Sequence, residues 1–263
     1  MKDTSISIIG GGNLGSSIAS GLLASGIFSH QKIHITRRNL EKLQNLADQG
    51  AVTGNNNVWA VENADIVILA VKPFKLMEIL QEISPALTKD KIIVSVVSGV
   101  GIQEIEEALP MQIPLFRAMP NTAISIKESM TCISSLNATK AQEEAVMNIF
   151  NQLGKVVKIG EEHMDAATVL GACGIAYALR FIRAASQGGI EIGFSAEVSQ
   201  LIASQTVMGA AKLLLEQGKH PEEEIDKVTT PKGCTIAGLN EMEFQGFSSS
   251  LVRGILASYE KLQ

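Results

Sequence analysis

Residues 5–22 read SISIIGGGNLGSSIASGL, a short apolar run that leads into three consecutive glycines and then into a second apolar pattern. Isoleucine dominates residues 5–9, and β-branched side chains favour a strand. After the glycines, apolar residues recur at every fourth position, as on one face of a helix: Leu14, Ile18 and Leu22. The stretch therefore predicts a strand, a tight glycine turn and a helix, in that order.

The rest of the N-terminal half alternates strand and helix patterns. Further strands are predicted at residues 32–36, 51–53, 66–71, 92–97, 115–118, 130–134 and 155–159. Two of these runs, IVILAV and IIVSVV, are almost continuously apolar and do not alternate, which is typical of parallel strands covered by helices on both faces. We therefore predict an α/β fold with a doubly wound, mostly parallel Rossmann sheet.

The C-terminal part contains helical patterns only. Helices are predicted at about residues 162–185 and 196–217, from Pro221, and after Thr235 and Ser248. Their apolar residues cover more than one face, which indicates burial against another subunit. The expected organisation is a Rossmann dinucleotide-binding domain at residues 1–160 and an all-helical domain for substrate binding and dimerisation at 161–263.

Composition excludes several classes of protein. Hydrophobic residues make up 46% of the chain and charged residues 19%, which argues against disorder. With a net charge of −5 and 4% aromatic residues, no nucleic-acid partner is expected. The uncharged apolar run at residues 169–179 is shorter than the ~20 residues that cross a bilayer, so no membrane association is expected. Three scattered cysteines and no secretory signal pattern predict a cytoplasmic protein without a disulfide framework or a bound metal.

The glycine turn predicts how a dinucleotide binds. Glycines allow the backbone to approach a pyrophosphate, which then lies on the amides that begin the helix. The contacting residues expected there are Gly10, Gly12, Asn13, Leu14 and Gly15. Arg37 and Arg38 follow the second strand, where NAD-binding proteins have an acidic residue. Because guanidinium groups suit a 2′-phosphate, we predict NADP(H), with NADH used at lower efficiency.

Further cofactor contacts are expected where the parallel strands end, because ligands of doubly wound sheets bind at that edge. The fourth strand runs into a short segment whose members are Ala70, Val71, Lys72 and Pro73. Asn121 follows the sixth strand and is expected to meet the nicotinamide, and Asn57 is expected near the adenosine ribose. Each has a plainer interpretation, as a solvated charge, a helix-starting proline or an ordinary polar loop.

One stretch of the helical half is more specific than the glycine turn. Residues 228–240 read VTTPKGCTIAGLN, which resembles the V-T-S-P-G-G-T-T-I-A-G-L stretch of pyrroline-5-carboxylate reductases. The segments GGGNLG, AVKP, RAMPNT, LGACGIAY and QTVMGAAKLLLE follow in the family's order, so the resemblance covers nearly the whole chain. It implies reduction of 1-pyrroline-5-carboxylate to L-proline, the last step of proline biosynthesis, by a homodimer or higher homo-oligomer joined through the helical domain.

The Pro-x-Gly turn before Thr235 suggests where the substrate binds. A helix start offers free amides and a hydroxyl to a carboxylate, although the plainer interpretation is a helix capped by Thr235. With the resemblance, the expected carboxylate-binding residues are Gly233, Cys234 and Thr235, with the Thr235 hydroxyl as the catalytic group near the ring nitrogen. The resemblance also implies that Glu161 and Lys227 lie close to the substrate. Hydride transfer to the imine carbon then depends mainly on positioning.

Three residues depart from the family's pattern: Cys173 replaces serine, Ile175 replaces proline, and Lys232 replaces glycine. Two alternatives therefore stay open, a related NADP-dependent reductase of another cyclic imine or hydroxy acid, and a non-catalytic NADP(H)-binding sensor. Hydroxy-acid enzymes of this architecture characteristically have a lysine in the first long helix after the sheet. Residues 162–185 contain no lysine, which counts against that alternative.

Overall fold

An eight-stranded sheet forms the centre of the N-terminal unit in the computed structural model, which describes residues 3–262. Its strands are β1 (Ile6–Ile9), β2 (Ile33–Thr36), β3 (Val52–Gly54), β4 (Ile66–Leu69), β5 (Ile92–Ser95), β6 (Leu115–Met119), β7 (Ser129–Leu136) and β8 (Gly154–Lys158). Their spatial order is β3-β2-β1-β4-β5-β6-β7-β8. Every neighbouring pair is parallel except β6 and β7. The first six strands have the Rossmann order, so the predicted fold class is confirmed.

Helices cover both faces of this sheet. They are α1 (Asn13–Ser25), α2 (Gln44–Asp48), α3 (Asn57–Glu62), α4 (Leu76–Ile83), α5 (Ile102–Glu107), α6 (Lys140–Asn151) and α7 (Met164–Ala167). One hydrophobic core contains α1 and α6, and the other contains α3, α4 and α5. Along β4, Ile66 and Ile68 belong to the first core while Val67 and Leu69 belong to the second. Both faces of the strand are therefore buried, which explains its unbroken apolar sequence.

The first long helical run after the sheet extends further than predicted. Its predicted end at about residue 185 is wrong, because the run continues from Glu161 to Glu191. It begins with a 3-10 turn at Glu161–His163, passes through α7 and a π-helical stretch at Thr168–Cys173, and continues as α8 (Gly174–Glu191). The run ends before Gly193, which has a left-handed backbone (φ 111°).

The second compact unit of the structure, Gly174–Lys261, is entirely helical among its described residues. It consists of α8, α9 (Ala196–Gln217), α10 (Pro221–Val228), α11 (Cys234–Phe244) and α12 (Phe247–Glu260). The predicted starts of two helices, at residue 196 and at Pro221, are both found, and Ser195 is the N-cap of the first. Only three of its described residues are buried: Ser186, Ser199 and Ala203.

Many large apolar side chains of this helical unit face solvent in the single chain. Leu201 is 68% exposed, Leu215 76% and Phe244 83%. Two helical runs, Glu161–Glu191 and Ala196–Gln217, are long and apolar enough to cross a bilayer by length and composition alone. Exposed apolar helix faces of this extent are also typical of surfaces that pack against another subunit.

Candidate functional site

The glycine turn between β1 and α1 has the geometry of a phosphate-binding loop. Gly10 has φ 110°, and a Cβ atom there would lie 2.5 Å from the carbonyl oxygen of Ala70. A Cβ atom on Gly15 would lie 2.1 Å from the carbonyl oxygen of Gly10. Packing therefore requires glycine at both positions. Around Gly12, in contrast, the described residues other than its two neighbours in the chain place no atom within 4 Å of the position of a Cβ.

This open space at Gly12 adjoins the start of α1. Gly12 is the N-cap of that helix, makes no side-chain cap, and no acidic residue stands in the first turn. The first amides of a helix have no partner within it, and they carry the positive end of its dipole. The predicted phosphate-binding residues Asn13 and Leu14 supply two of these amides. The residues present thus fit the pyrophosphate of a dinucleotide.

The end of β2 brings two positive charges to the same turn. The carbonyl of Thr36 accepts hydrogen bonds from the amides of Gly10 and Gly11, at 3.3 and 2.7 Å. Arg37 is half-buried, and its Nη1 donates to the carbonyl of Gly11 at 2.5 Å. Arg38 is exposed and makes no side-chain hydrogen bond within residues 3–262. The two guanidinium groups expected to recognise a 2′-phosphate therefore differ: that of Arg37 is anchored, whereas that of Arg38 has no hydrogen-bond partner in the described part of the chain.

Asn57, the first residue of α3, lies against the end of β2. Its Oδ1 accepts from the Thr36 hydroxyl at 2.6 Å, and its Nδ2 donates to Glu82 Oε2 at 3.1 Å. The structure thus brings Asn57 together with the arginine segment, on the side of the turn where the adenosine ribose is expected. Trp59, two residues further along α3, lies against His34 with 5.3 Å between ring centroids.

The second half of the carboxyl edge of the sheet contains the other predicted cofactor residues. Ala70 and Val71 follow β4, exposed Lys72 is the N-cap of a short 3-10 helix, and Pro73 is its first residue. The Oδ1 atom of Asn121 accepts from the amide of Ala123 at 3.0 Å, and its Nδ2 donates to the carbonyl of Gly171 at 3.2 Å. Both ends of that amide are therefore engaged, and its contact with a nicotinamide stays a prediction.

Sequence reasoning overlooked the loop that follows β5. Residues 96–98 lie at the carboxyl edge between the ends of β4 and β6, because β5 pairs with both strands. The sequence predicts cofactor contacts after both neighbouring strands, β4 and β6. It also predicts the fifth strand, so the rule that ligands bind at the carboxyl ends of parallel strands indicates this loop as a further candidate for cofactor contact.

Glu161 is bound within the α/β unit. Its carboxylate accepts hydrogen bonds from Arg117 Nη1, the Ser134 hydroxyl and the amide of Ile102. The side chain of Glu161 is 23% exposed and that of Arg117 only 4%. Arg117 was overlooked, although a lone arginine within the apolar strand LFRAM indicates a buried charge that needs a partner.

The start of α11 carries the predicted substrate residues. Gly233 is the N-cap, and its amide already donates to the carbonyl of Thr230 at 2.9 Å. The alternative that Thr235 is the N-cap is wrong, because Thr235 is the second residue of the helix. Its exposed hydroxyl makes no hydrogen bond in the described part of the chain, and the first turn of α11 has no acidic residue. The amides of Cys234 and Thr235 are thus available to an anion.

Two lysines, Lys227 and Lys232, precede this helix start in the sequence. Lys232 adopts a left-handed backbone with φ 62°. Lys227, in the last turn of α10, forms an ion pair with Glu224, and this hydrogen bond raises the pKa of the lysine. The three cysteines are free thiols: Cys132 is buried, Cys173 half-buried and Cys234 exposed.

A phosphate-binding glycine turn on a Rossmann sheet, joined to a helical unit with an open helix start, defines a nicotinamide-dependent oxidoreductase. A family profile for pyrroline-5-carboxylate reductase dimerisation matches residues 161–263, and one described as NADP oxidoreductase, coenzyme F420-dependent, matches residues 5–99. The chain belongs to the pyrroline-5-carboxylate reductase family.

Individual relatives support this assignment. Pyrroline-5-carboxylate reductase 2 of Dictyostelium discoideum is 46% identical, over 99% of this chain and 92% of the relative. Reductase 1 of the same organism is 48% identical over 99% of this chain, which spans 50% of that relative's length. The crystal structure of the Plasmodium falciparum enzyme with NADP bound has a TM-score of 0.91 at 26% identity, covering 100% of this chain and 98% of its own. The Coxiella burnetii enzyme has a TM-score of 0.90 at 29% identity, covering 98% and 97%.

These comparisons confirm the predicted family, an NAD(P)H-dependent oxidoreductase acting on a CH–NH group, and NADP(H) as its cofactor. The dimerisation profile indicates a homo-oligomer. A 3-hydroxyisobutyrate dehydrogenase of Mycobacterium tuberculosis shares the fold alone, with a TM-score of 0.52 at 15% identity.

Proposed function

We propose that this chain reduces 1-pyrroline-5-carboxylate to L-proline, the last step of proline biosynthesis, with NADPH preferred over NADH. The observation that carries the proposal is the start of α11, in the most family-specific segment of the sequence. There the Thr235 hydroxyl is exposed and free of hydrogen bonds within residues 3–262, beside two unpaired amides at a positive helix end. Such a site suits a small anion that also carries a polar ring nitrogen.

The substrate carboxylate is held by the amides of Cys234 and Thr235, because neither has a partner within the helix. Gly233 shapes the turn, since its own amide is bonded to Thr230 and a Cβ atom there would lie 2.5 Å from the Thr230 hydroxyl. The Thr235 hydroxyl orients the ring nitrogen and its proton. Lys227 adds positive charge that attracts the anionic substrate, and the role of Glu161 near the substrate stays a prediction.

On the α/β unit, the amides at the start of α1 hold the pyrophosphate. Arg38 binds the 2′-phosphate with its exposed guanidinium, and Arg37 reinforces it from its anchored position. Asn57 lies by the adenosine ribose, while residues 70–73 and Asn121 line the nicotinamide side. The cofactor supplies the hydride, and the chain contributes by binding and orienting each reactant.

The assembly is a homodimer or a larger homo-oligomer joined through the helical unit, whose exposed apolar faces need a partner. The protein acts in the cytoplasm, where its three free thiols stay reduced. The net charge of −5 supports a chain without a nucleic-acid partner, and a partner subunit accounts for its apolar helices without a membrane.

The test is the rate of NADPH oxidation with 1-pyrroline-5-carboxylate, for the wild type, Thr235→Ala and the hydroxyl-retaining Thr235→Ser. We expect Thr235→Ala to lower kcat by about 10²-fold while the Kd for NADPH is unchanged, and Thr235→Ser to retain most of the activity. NADH should give a lower rate, and Arg38→Ala should reduce that difference.

Two outcomes contradict the proposal. Full activity of Thr235→Ala would remove the assigned role of the hydroxyl. A wild type that binds NADPH but does not reduce the imine would favour another cyclic imine or a sensor role, which a panel of cyclic imines then separates.

A further inference from the structure

Three elements of the α/β unit meet at the carboxylate of Glu161. Its Oε1 accepts from the backbone amide of Ile102 at 3.0 Å and also from Arg117 Nη1. Its Oε2 accepts from the hydroxyl of Ser134 at 2.5 Å. These donors belong to α5, β6 and β7. One side chain therefore ties three elements to the helical run that it begins.

This junction lies at the carboxyl edge of the sheet. Arg117 is in register with Ser95, the last residue of β5, and Ile102 begins α5 directly after the loop of residues 96–101. In the Rossmann strand order, β1–β3 form one mononucleotide-binding half and β4–β6 the other. In the proposed site, Arg37 and Asn57 bind the adenosine half, and both lie against the turn and strand end of β1–β3. The loop of residues 96–101 therefore belongs to the nicotinamide half.

Arg117 is a costly residue at this place. Its side chain is 4% exposed, and Nε and Nη2 have no hydrogen-bond partner in the described part of the chain. Burying a charge is unfavourable unless it is paired, and a buried ion pair often adds little stability compared with an apolar replacement. Stability alone therefore does not explain the ion pair, whereas a role in holding its partner Glu161 in position does.

We propose that Arg117 and Ser134 are positioning residues for the nicotinamide half of the cofactor site. They act through Glu161, which holds the first amide of α5 and with it the loop of residues 96–101. This inference rests on the proposed function, because it concerns the dinucleotide that the reaction uses. A second contact from the end of β6 holds the same helical run, since Asn121 Nδ2 donates to the carbonyl of Gly171.

The adjacent serines of β7 provide a matched pair of variants. Ser134→Ala removes one donor to Glu161 and leaves the ion pair intact. Ser135→Ala is the control, because that hydroxyl donates to Glu143 Oε1 at 2.6 Å, a bond of the same kind away from the carboxyl edge. Arg117→Lys keeps the buried charge but lacks the planar fork, so it tests the ion pair.

The measurement is the Kd of two probes by calorimetry on the purified full chain. NADPH spans both halves of the site, whereas adenosine 2′,5′-bisphosphate contains only the adenosine half with its 2′-phosphate. We expect Ser134→Ala to weaken NADPH about fivefold and Arg117→Lys to weaken it more, with the Kd of the bisphosphate unchanged. Ser135→Ala should change neither Kd.

Equal weakening of both probes by Ser134→Ala, or no weakening of either, would overturn the proposal and leave these residues a purely structural role. Thermal unfolding of each variant identifies that case, because a structural role lowers Tm without changing the ratio of the two Kd values. Turnover of the wild type with 1-pyrroline-5-carboxylate tests the proposed function separately. A chain that binds NADPH without reducing the imine would refute the function and leave the binding ratio interpretable.

Discussion

Replacing Lys232 by glycine should stabilise the protein. Lys232 has φ 62°, and a left-handed backbone costs a residue with a side chain about 1–2 kcal/mol. Glycine removes that cost, but it also gives the unfolded chain more conformational freedom, which lowers the stability by about 0.4–1 kcal/mol. The bond between the amide of Gly233 and the carbonyl of Thr230 does not involve the lysine side chain, so the turn is retained. The expected net gain is about 0.5–1 kcal/mol.

The assay is thermal unfolding at one fixed protein concentration, with Lys232→Ala as the control. Alanine removes the charge but keeps the Cβ atom, and therefore the strain. The glycine variant should raise Tm by about 1–4 °C, and the alanine variant should not. If the lysine also attracts the anionic substrate, both variants should raise KM to the same extent. Equal Tm values for the glycine and alanine variants would refute the backbone argument.

Three further changes test other parts of the α/β unit. The buried ammonium of Lys91 donates to three main-chain carbonyls, so Lys91→Met should lower the free energy of unfolding in urea by about 2–4 kcal/mol; an equal loss for exposed Lys89→Met would contradict this. The hydrogen bond from Lys158 lowers the pKa of Glu143 in the folded protein. This carboxylate therefore stabilises the fold at pH values above its unfolded pKa of about 4.3. Its contribution is lost as the pH falls through the pKa that it has in the folded state. In thermal scans Glu143→Gln should therefore be less stable than wild type at neutral pH and equally stable in strong acid; a deficit that persists in acid would exclude this cause. Gly12→Ala should fold normally, because the space around it is open, yet bind NADPH about tenfold more weakly by calorimetry; unchanged affinity would exclude phosphate contact at that position.

Local sequence was sufficient to predict much of the fold, because the residues that favour each strand, turn or helix start lie within a few positions of that element. Isoleucine-rich runs predict the strands, and the apolar period of Leu14, Ile18 and Leu22 predicts the first helix, which is found at Asn13–Ser25. Gly15 is required by its contact with the carbonyl of Gly10, which lies within the strand–turn–helix motif itself. The N-cap Ser195 likewise bonds to an amide only three residues further along the chain.

The arrangement of the candidate site depended on contacts between distant residues, which a single sequence does not show. Glu161 looks like a surface charge in the sequence, but its carboxylate is bound by residues 27, 44 and 59 positions away. The amide of Asn121 is engaged by a carbonyl 50 residues later. The N-cap of α11 falls on Gly233 and not on Thr235, because the amide of the glycine closes a turn onto Thr230.

Because the unit Gly174–Lys261 has so few buried residues, its stability should depend on the protein concentration. Its three buried described residues supply almost no interior of their own, so in the proposed assembly most of the apolar area that favours the native helices is covered only when subunits associate. Loss of native helix in this unit should therefore follow mass action, beginning at higher temperature in concentrated samples than in dilute ones. In a subunit that has not yet associated, proteases should cleave these helices first, whereas the Rossmann unit is protected by its two hydrophobic cores.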